Sequence, residues 1–183
     1  MIGGMADASV RPGTPGDAAE LARIQAAAWA RVHPDLPAEV LHTVGSPQAA
    51  RQWATATGSP PSPRHRVLVA VAGEQVVGFA VLAPAADADT VPSLDGELLG
   101  LYVDPASTGE GHGSRLVNAV ADVARLDGVQ HLHAWLADAE TDLRGFLEAA
   151  GWAEDGAVRT LDPTGDGAVV VRQRRLRTAL VEL

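Results

Sequence analysis

The chain has 183 residues, 46% of them hydrophobic, which predicts a single domain that buries its own core. It contains no cysteine, which excludes disulfides, a thiolate nucleophile and cysteine-ligated metals and favours the reducing cytoplasm. The net charge of −9 argues against nucleic-acid binding, and no run approaches the roughly 20 apolar residues of a membrane span.

The predicted elements begin with a short strand and a helix. Residues 1–8 are predicted to be disordered, and a strand is predicted to end at residues 10–12. A helix start is indicated by Thr14 as the cap, Pro15 in the first turn and Asp17 as the reciprocal capping carboxylate. Apolar side chains then follow at helical spacing: Leu21, Ile24, Ala28, Trp29 and Val32.

A second helical region and a hairpin come next. The helical region is predicted over residues 37–56. Two β-rich runs, residues 66–72 and 76–83, flank the glycine-containing turn at residues 73–75 and predict a β-hairpin. Residues 84–96 are predicted to form an acidic loop of small side chains.

The second half of the chain alternates strands and helices. Strands are predicted at residues 97–103, 131–136, 152–159 and 168–176, and helices at residues 111–126 and 142–150. A turn at residues 162–165 joins the last two strands. This order of elements predicts an α/β (α+β) fold built on one mixed sheet.

The glycine-rich turn at residues 108–113 is the most informative segment, because it follows a predicted strand and opens a predicted helix. Glycines let the backbone approach a phosphate closely, and free amides at a helix N-terminus bind negative charge. The spacing Gly109-x-Gly111-x-Gly113 differs from the Rossmann fingerprint, and no Gly-Lys-Ser/Thr follows as in a Walker loop. By itself the turn indicates either an anion site or a plain strand-to-helix connection.

Three consecutive motifs around this turn resemble those of the GNAT acetyltransferase superfamily. Residues 101–105, Leu-Tyr-Val-Asp-Pro, are similar to the family's strand motif, residues 111–113, Gly-His-Gly, to its loop, and residues 114–116, Ser-Arg-Leu, to its helix start. A second family motif, Phe-Tyr-x-x-x-Gly-Phe, is echoed at residues 146–152. The resemblance extends over roughly residues 9–176.

The resemblance implies a fold, an activity and a cofactor site. The fold is a single GNAT-type domain with a mixed, mostly antiparallel sheet of six or seven strands and about four helices. The activity is transfer of an acetyl group from acetyl-CoA, as co-substrate and without a metal, to a primary amine of a small molecule or peptide. The absence of cysteine favours direct attack in a ternary complex. Cofactor-binding residues implied by the motif are Leu101, Tyr102, Val103, Thr108, Gly109, Gly111, His112, Gly113 and Ser114.

Departures from the family pattern leave alternatives open. Thr108 stands where the family usually has Arg or Gln, Glu110 where a basic residue is common, and Leu147 where a tyrosine often serves as general acid. Glu140 replaces an asparagine that often contacts the pantetheine arm. A non-catalytic acyl-CoA-binding or sensor module, a hydroxyl acceptor and a longer acyl donor are therefore alternatives. No nucleic-acid or membrane partner is predicted, and a homodimer is left open.

Glu97 is the candidate catalytic base. An alkylammonium acceptor has a pKa near ~10 and must lose a proton, which a carboxylate can take through a water. Regular alternation along the strand predicts that Glu97 shares a face with Leu99, Leu101 and Val103. The resemblance implies a base here because the family commonly uses a glutamate at this position; a solvated strand-end carboxylate is the alternative.

Other polar side chains have both a functional and a structural interpretation. Tyr102, the single tyrosine, is a candidate proton donor, although its neighbours favour a core or sheet-face aromatic. His131 and His133 share a strand face, but no third metal ligand is predicted. A solvated loop or an acidic rim for a cationic acceptor is predicted from Asp35, Asp87, Asp89 and Asp95. An exposed last strand protected by charges is predicted from Arg172, Arg174, Arg175 and Arg177.

Overall fold

A computed structural model of the chain describes residues 8–34, 37–162 and 170–180. Within these residues seven strands form one sheet in the order β1-β2-β3-β4-β5-β7-β6. The strands are β1 Ala8–Pro12, β2 Arg66–Ala72, β3 Gln75–Pro84, β4 Asp95–Val103, β5 His131–Ala137, β6 Ala153–Leu161 and β7 Val171–Ala179. The α-helices are α1 Ala18–Val32, α2 Ala38–Val44, α3 Pro47–Gly58, α4 His112–Leu126 and α5 Thr141–Ala149.

The predicted fold class is confirmed, since the sheet is antiparallel throughout except between β4 and β5. The predicted second helical region is two helices, because Gly45 ends α2 and the Ser46 hydroxyl caps α3 by accepting from the amide of Ala49. Within the described residues, no helix is long and apolar enough to cross a membrane. The disorder expected at residues 1–7 and the turn at residues 163–165 lie outside the described residues, whereas Ala8 begins β1.

The start of α1 is held by the carboxylate of Asp17, as the capping pattern predicts. Residues Pro15–Asp17 form a short 3-10 turn that leads into the helix. Asp17 accepts a 2.7 Å hydrogen bond from the backbone amide of Thr14 and pairs with Arg11 at 2.8 Å. The hydrogen bond from Arg11 has the largest effect on the pKa of Asp17. Together with hydrogen bonds from the backbone and side chain of Thr14, it lowers this pKa to about 2, although burial alone would raise it.

We expect Asp17→Asn to lower the free energy of unfolding by about 1–2 kcal/mol at neutral pH, the range found for lost capping groups. A carboxyl whose pKa is lowered by folding stabilises the protein above its unfolded value of 3.8, and that contribution is lost as pH falls toward 2. Denaturant titrations should therefore show wild type and variant converging between pH 4 and pH 2. Glu20→Gln, at an exposed ion pair, is the control with an expected change below ~0.5 kcal/mol. An equal loss at every pH would contradict the electrostatic cause.

Two hydrophobic clusters cover the two faces of the sheet. On one face α4 buries Leu116, Val120 and Ala124 against β2, β3 and β4. On the other face Leu21 and Ile24 of α1 pack with β2 and β3. The C-terminal half of α1 is not part of this core and is free to line a cavity.

Strand β4 contains a bulge at Leu99. Val81 of β3 pairs with Gly100, while the next residue, Leu82, pairs with Leu98, so that Leu99 has no partner on β3. An inserted residue of this kind bends the strand and reverses the alternation of side chains beyond it.

The bulge corrects the predicted arrangement of β4 side chains. Because paired residues of an antiparallel ladder share a face, Glu97 lies on the same face as Tyr102, the face covered by α1. Leu101 and Val103 lie on the opposite face, which α4 covers. The prediction that Glu97 shares a face with Leu101 and Val103 is therefore wrong, since regular alternation ends at Leu99.

Strands β4 and β5 are paired at only one end. Their parallel pairing joins residues 95–97 to residues 131–133 and, within the described chain, extends no further. Beyond Glu97 the two strands separate, and a narrow gap opens between residues 98–102 and residues 134–136. Glu140, Leu143 and Leu147 close the gap from the α5 side.

Strand β7 lies inside the sheet, between β5 and β6. The prediction of an exposed last strand is wrong, because the last strand in sequence pairs on both sides and β6 forms the edge instead. Arg175 of β7 is buried at 6% exposure. A buried guanidinium needs carboxylate partners, and their positions bear on the candidate site.

Candidate active site

A cavity of about 500 Å³ lies between the C-terminal half of α1, the end of β4 and the N-terminus of α4. All nine residues predicted to bind the cofactor line it: Leu101, Tyr102, Val103, Thr108, Gly109, Gly111, His112, Gly113 and Ser114. Trp29 of α1 and Phe146 of α5 also line the cavity. The volume is in the range of pockets that bind small molecules.

The backbone of the glycine-rich loop is shaped as an anion site. Gly109 and Gly111 have φ values of +83° and +81°, a left-handed conformation that favours glycine, and Gly111 is the cap of α4. The amides of residues 108–114 donate to no acceptor within the described part of the chain. Consecutive free amides at a helix N-terminus bind phosphate through hydrogen bonds and the helix dipole.

The side chains of the loop leave these amides accessible. The Thr108 hydroxyl donates to the carbonyl of Pro105 at 3.1 Å and holds the preceding turn. The exposed carboxylate of Glu110 lies 3.2 Å from Nε2 of His112, which is itself buried at 3% exposure. His112 thus forms part of the cavity wall and at the same time positions the Glu110 carboxylate.

Arg115, which the sequence reasoning did not single out, lies beside the glycine-rich loop. Its Nη1 donates to the Glu110 carbonyl at 2.9 Å, and the same nitrogen lies 3.2 Å from the position that a Cβ on Gly111 would occupy. Within the described residues no carboxylate lies at ion-pair distance from it. The guanidinium therefore places a positive charge beside the loop that has Thr108 where the family usually has Arg or Gln. Arg115 follows the capping glycine by four residues, and side chains at that spacing are neighbours on a helix, so the sequence could have indicated this contact with the loop.

Glu97 lies apart from the cavity, where β4 and β5 are still paired. It pairs with His133 of β5 and is only 7% exposed. Burial raises the pKa of Glu97, and the charge of Asp87 adds to this, whereas Arg159, His133 and Arg175 oppose it. A buried carboxylate with a raised pKa is suited to take up a proton.

Tyr102 lies on the same sheet face as Glu97 and also lines the cavity. Its ring packs on Phe79 with centroids 4.9 Å apart, so it is the sheet-face aromatic that its neighbours indicate. It also lines both the cavity and the β4–β5 gap. A Cβ on Gly100 would lie 3.1 Å from the Tyr102 hydroxyl, which shows that the side chain folds back over the bulge. Burial raises the pKa of this hydroxyl, with smaller opposing contributions from Trp29 and Gln25.

The predicted acidic rim is largely neutralised by Arg175. This guanidinium contacts Asp87 at 3.1 Å, Asp89 at 2.7 Å and Asp155 at 2.8 Å, which joins the loop between β3 and β4 to β6 and β7. The hydrogen bond from Arg175 is the main reason that the pKa of Asp89 falls to about 2. Trp135 of β5 also donates to Asp87 at 2.9 Å. These aspartates therefore fix the loop, and Asp35 lies outside the described residues.

The fourth aspartate of that set, Asp95, binds both strand histidines. Its Oδ1 lies 3.1 Å from Nε2 of His133 and 3.3 Å from Nδ1 of His131. Its Oδ2 accepts from the amide of Val91 at 2.8 Å. In the described ranges, no group of three or more His, Asp or Glu side chains is arranged to hold a metal ion.

The two remaining departures from the family pattern lie at the gap. Glu140 accepts a 2.6 Å hydrogen bond from the amide of Ala137 and lines both the cavity and the gap. Burial raises the pKa of Glu140, with the Ala137 amide, His33 and Arg144 opposing. Leu147 is fully buried in the core, so the position of the family's tyrosine is filled by a packing side chain.

Comparisons with known proteins agree with this geometry. A sequence model of the acetyltransferase (GNAT) family matches residues 21–152, which include most of α1, the loop and α5. A search of curated proteins found no matching relative.

Three of the solved structures with the same fold illustrate the similarity. The PaiA N-acetyltransferase of Thermoplasma acidophilum, in complex with coenzyme A, is 15% identical, with 94% of this chain and 99% of that chain covered at a TM-score of 0.74. The yncA protein of Salmonella typhimurium, with its cofactor acetyl-CoA, is 18% identical, with coverage of 96% and 95% and a TM-score of 0.64. The ribosomal-protein-alanine N-acetyltransferase of Brucella melitensis is 22% identical, with coverage of 93% and 98% and a TM-score of 0.70.

Proposed function

The chain belongs to the GNAT acetyltransferase family, and on that premise we propose that it transfers an acetyl group from acetyl-CoA to a primary amine of a small molecule or peptide. The observation that carries the proposal is the run of free amides at residues 108–114, which open into the cavity at the N-terminus of α4. Such a run fits a diphosphate and needs no basic side chain. The coenzyme A and acetyl-CoA present in two of the similar structures support the same donor.

The residues present fit acetyl-CoA, which supplies an activated thioester. The loop amides and Arg115 would hold the diphosphate, because they combine free donors with a positive charge. The gap between β4 and β5 would take the pantetheine arm, since most of the residues that line it are apolar and the two strands leave backbone groups unpaired there. Tyr102 and Glu140 line both spaces and would orient the end of that arm.

The acceptor amine is proposed to reach the α1 face of β4, because Glu97 lies on that face and can take the amine's proton directly or through a water. The chain contains no cysteine, which supports direct attack on the thioester in a ternary complex. Because Arg175 already binds Asp87 and Asp89, the acceptor is selected by the shape and polarity of this face rather than by a free acidic rim. We propose that the chain acts as one cytoplasmic domain without a metal.

Saturating acetyl-CoA is expected to raise the melting temperature. At a ligand concentration 100 times Kd, binding to the folded state alone adds about 2.7 kcal/mol to the free energy of unfolding. Differential scanning fluorimetry over a concentration series measures the shift, and a panel of amines with detection of free thiol measures turnover. Adenosine at the same concentrations is the control, because it lacks the diphosphate.

The outcomes separate the two functions considered for this fold. Stabilisation together with amine-dependent thiol release supports the acetyltransferase. Stabilisation without release from any amine would favour the acyl-CoA sensor, for which the buried Leu147 in place of a general acid is the motivating observation. A flat melting temperature up to millimolar acetyl-CoA would contradict donor binding altogether.

A further inference from the structure

Arg159 of β6 lies on the same sheet face as Glu97 and has no part in the reaction described so far. Glu97 pairs with His133 of β5. Further along β5, Ala137 pairs with Gln173 of β7, which in turn pairs with Arg159. Because paired residues share a face and side chains alternate along each strand, all of these side chains lie on one face. The face that carries the proposed base therefore also carries this guanidinium.

The guanidinium of Arg159 is half-buried and oriented by two neighbours. Its Nε donates to Oε1 of Gln173 at 2.7 Å, and its Cζ lies 4.3 Å from the ring centroid of Trp135. A cation over the face of an indole ring is attracted by the ring electrons. Within the described residues, neither of its two Nη groups donates to an acceptor. Arg159 therefore presents a pair of available donors on a side chain that packing already orients.

The other charged side chains of this face have partners of opposite charge. Arg175 binds three aspartates, and Asp95 lies within 4.0 Å of Arg177 and of both strand histidines. Among the side chains that strands β4–β7 present on this face, only Glu97 and Arg159 have no oppositely charged group at ion-pair distance in the described part of the chain. The face therefore offers one carboxylate and one guanidinium that the described chain does not neutralise.

These two groups are close enough to influence each other. Burial raises the pKa of Glu97, and the charge of Arg159 is the foremost effect that lowers it, ahead of the charges of His133 and Arg175. Asp87, on the loop between β3 and β4, acts in the opposite direction. Glu97 and Arg159 do not form an ion pair with each other. Each is therefore available to a ligand that carries the complementary charge.

A molecule that carries both an amine and a carboxylate fits this pair of groups. The planar guanidinium of an arginine donates two parallel hydrogen bonds to a carboxylate, which gives both affinity and a defined orientation. A carboxylate bound by Arg159 would leave the amine of the same molecule free to face Glu97. An amine without an anionic group would gain nothing from the guanidinium.

We propose that the acetyl acceptor is an amino acid, and that Arg159 binds its carboxylate while its amine faces Glu97. The proposal rests on the proposed function and names its substrate class. The bond from nitrogen to the acetyl carbon forms as the carbon–sulfur bond of the thioester breaks. The proton of the amine passes to Glu97, and the thiolate leaves and is protonated by water. The carboxylate at Arg159 is unchanged, so Arg159 selects and positions the acceptor.

Matched acceptors test the selection. Wild type is assayed with L-amino acids and ω-amino acids, and with the methyl ester of each, which keeps the amine and removes the negative charge. We expect kcat/KM for the best amino acid to exceed that for its ester by about 10–100-fold, the range for hydrogen bonds to a charged group. The ratio of the two substrates is then compared between variants, which cancels the difference in their amine pKa values.

Arg159→Gln should remove most of this preference, mainly by raising KM for the amino acid, and should leave the ester reaction and coenzyme A affinity nearly unchanged. Arg159→Lys keeps the charge but not the two parallel donors, so it should retain part of the preference. Arg172→Gln is the matched control. Arg172 is an exposed arginine of β7 that pairs with Thr160, and it therefore lies on the opposite face. Its loss removes the same charge and should leave the ratio unchanged.

Two measurements do not depend on turnover. Calorimetric titration of the coenzyme A complex with the best amino acid should show binding that weakens about 10–100-fold in Arg159→Gln and stays unchanged in Arg172→Gln. Because Arg159 lowers the pKa of Glu97, carbon-13 NMR of the Glu97 carboxyl should show a higher titration midpoint in Arg159→Gln than in wild type or Arg172→Gln.

The outcomes separate this inference from the proposed function. If amino acids and their esters are equally good substrates and Arg159→Gln leaves their ratio unchanged, the carboxylate site is refuted and the proposed function stands. An equal loss for amino acid and ester in Arg159→Gln would also refute it, because Arg159 would then act on the base rather than on the acceptor. If wild type transfers acetyl to no amine of any kind, the proposed function fails and the carboxylate site fails with it.

Discussion

Glu97→Gln is expected to lower kcat by about 10²–10⁴-fold, the usual loss when a general base is removed. Gln keeps the shape of the side chain but cannot take a proton from the acceptor. Affinity for acetyl-CoA should be nearly unchanged, because Glu97 does not line the cavity formed by the glycine-rich loop. Steady-state kinetics with the best amine and calorimetric titration with coenzyme A measure the two quantities separately.

The pH dependence of kcat/KM is the most specific test of this role of Glu97. Burial raises the pKa of Glu97 above its usual 4.5, so wild-type kcat/KM should rise with pH as the carboxyl and the amine lose their protons. In Glu97→Gln the remaining pH dependence should follow the amine alone. A variant within a factor of two of wild type at all pH values would remove Glu97 from the mechanism. Glu140, whose pKa is also raised by burial and which lines the gap, would then be the next carboxylate to test.

Stability measurements show whether Glu97→Gln retains the fold. A carboxyl whose pKa is raised by folding is favourable to the folded state when protonated, and this advantage is lost as pH rises through its folded pKa. The melting temperature of Glu97→Gln should therefore rise relative to that of wild type as pH increases. Glu74→Gln, on the exposed turn between β2 and β3, is the matched control and should show no such trend.

The glycine-rich loop could be predicted from the sequence because the residues that form it are close together in the chain. The nine predicted cofactor residues lie within residues 101–114, and a strand, a turn and a helix start bring them together without help from distant segments. The capping role of Asp17 was predictable for the same reason, since Thr14 and Asp17 are three residues apart. The order of the elements was sufficient for the fold class, because apolar periodicity reports which elements pack on a common sheet.

The features that were not predictable depend on long-range pairing. The bulge at Leu99 arises from the register between β3 and β4, and no local residue pattern marks it. Arg175 meets Asp87 across 88 positions, and its burial follows from the insertion of β7 between β5 and β6. The same is true of His133, whose partner Asp95 belongs to another strand. Glu97 was therefore proposed as the base from its residue type and the family resemblance, but its sheet face and its neighbours required the structure.

Gly111→Val is expected to lower the affinity for coenzyme A by about 10–100-fold, since each hydrogen bond to a charged group contributes about 1.5–3 kcal/mol. Gly111 has a φ of +81° and caps α4, and a side chain there strains the turn that aims the amides of residues 112–114 into the cavity. The new Cβ would also lie 3.2 Å from Arg115 Nη1 and displace the guanidinium from the loop.

Gly128→Val provides a matched control for the strain. Gly128 has a φ of +78°, lies just beyond the other end of α4, and would place a Cβ within 4 Å of nothing in the described structure. Both variants should therefore lose stability for the same backbone reason, by about 1–2 kcal/mol or more for a β-branched side chain. Only Gly111→Val should lose coenzyme A binding in calorimetric titrations at a temperature where both are folded. Equal affinity in the two variants would mean that the diphosphate is held elsewhere, because the amides at the start of α4 would then contribute nothing to binding.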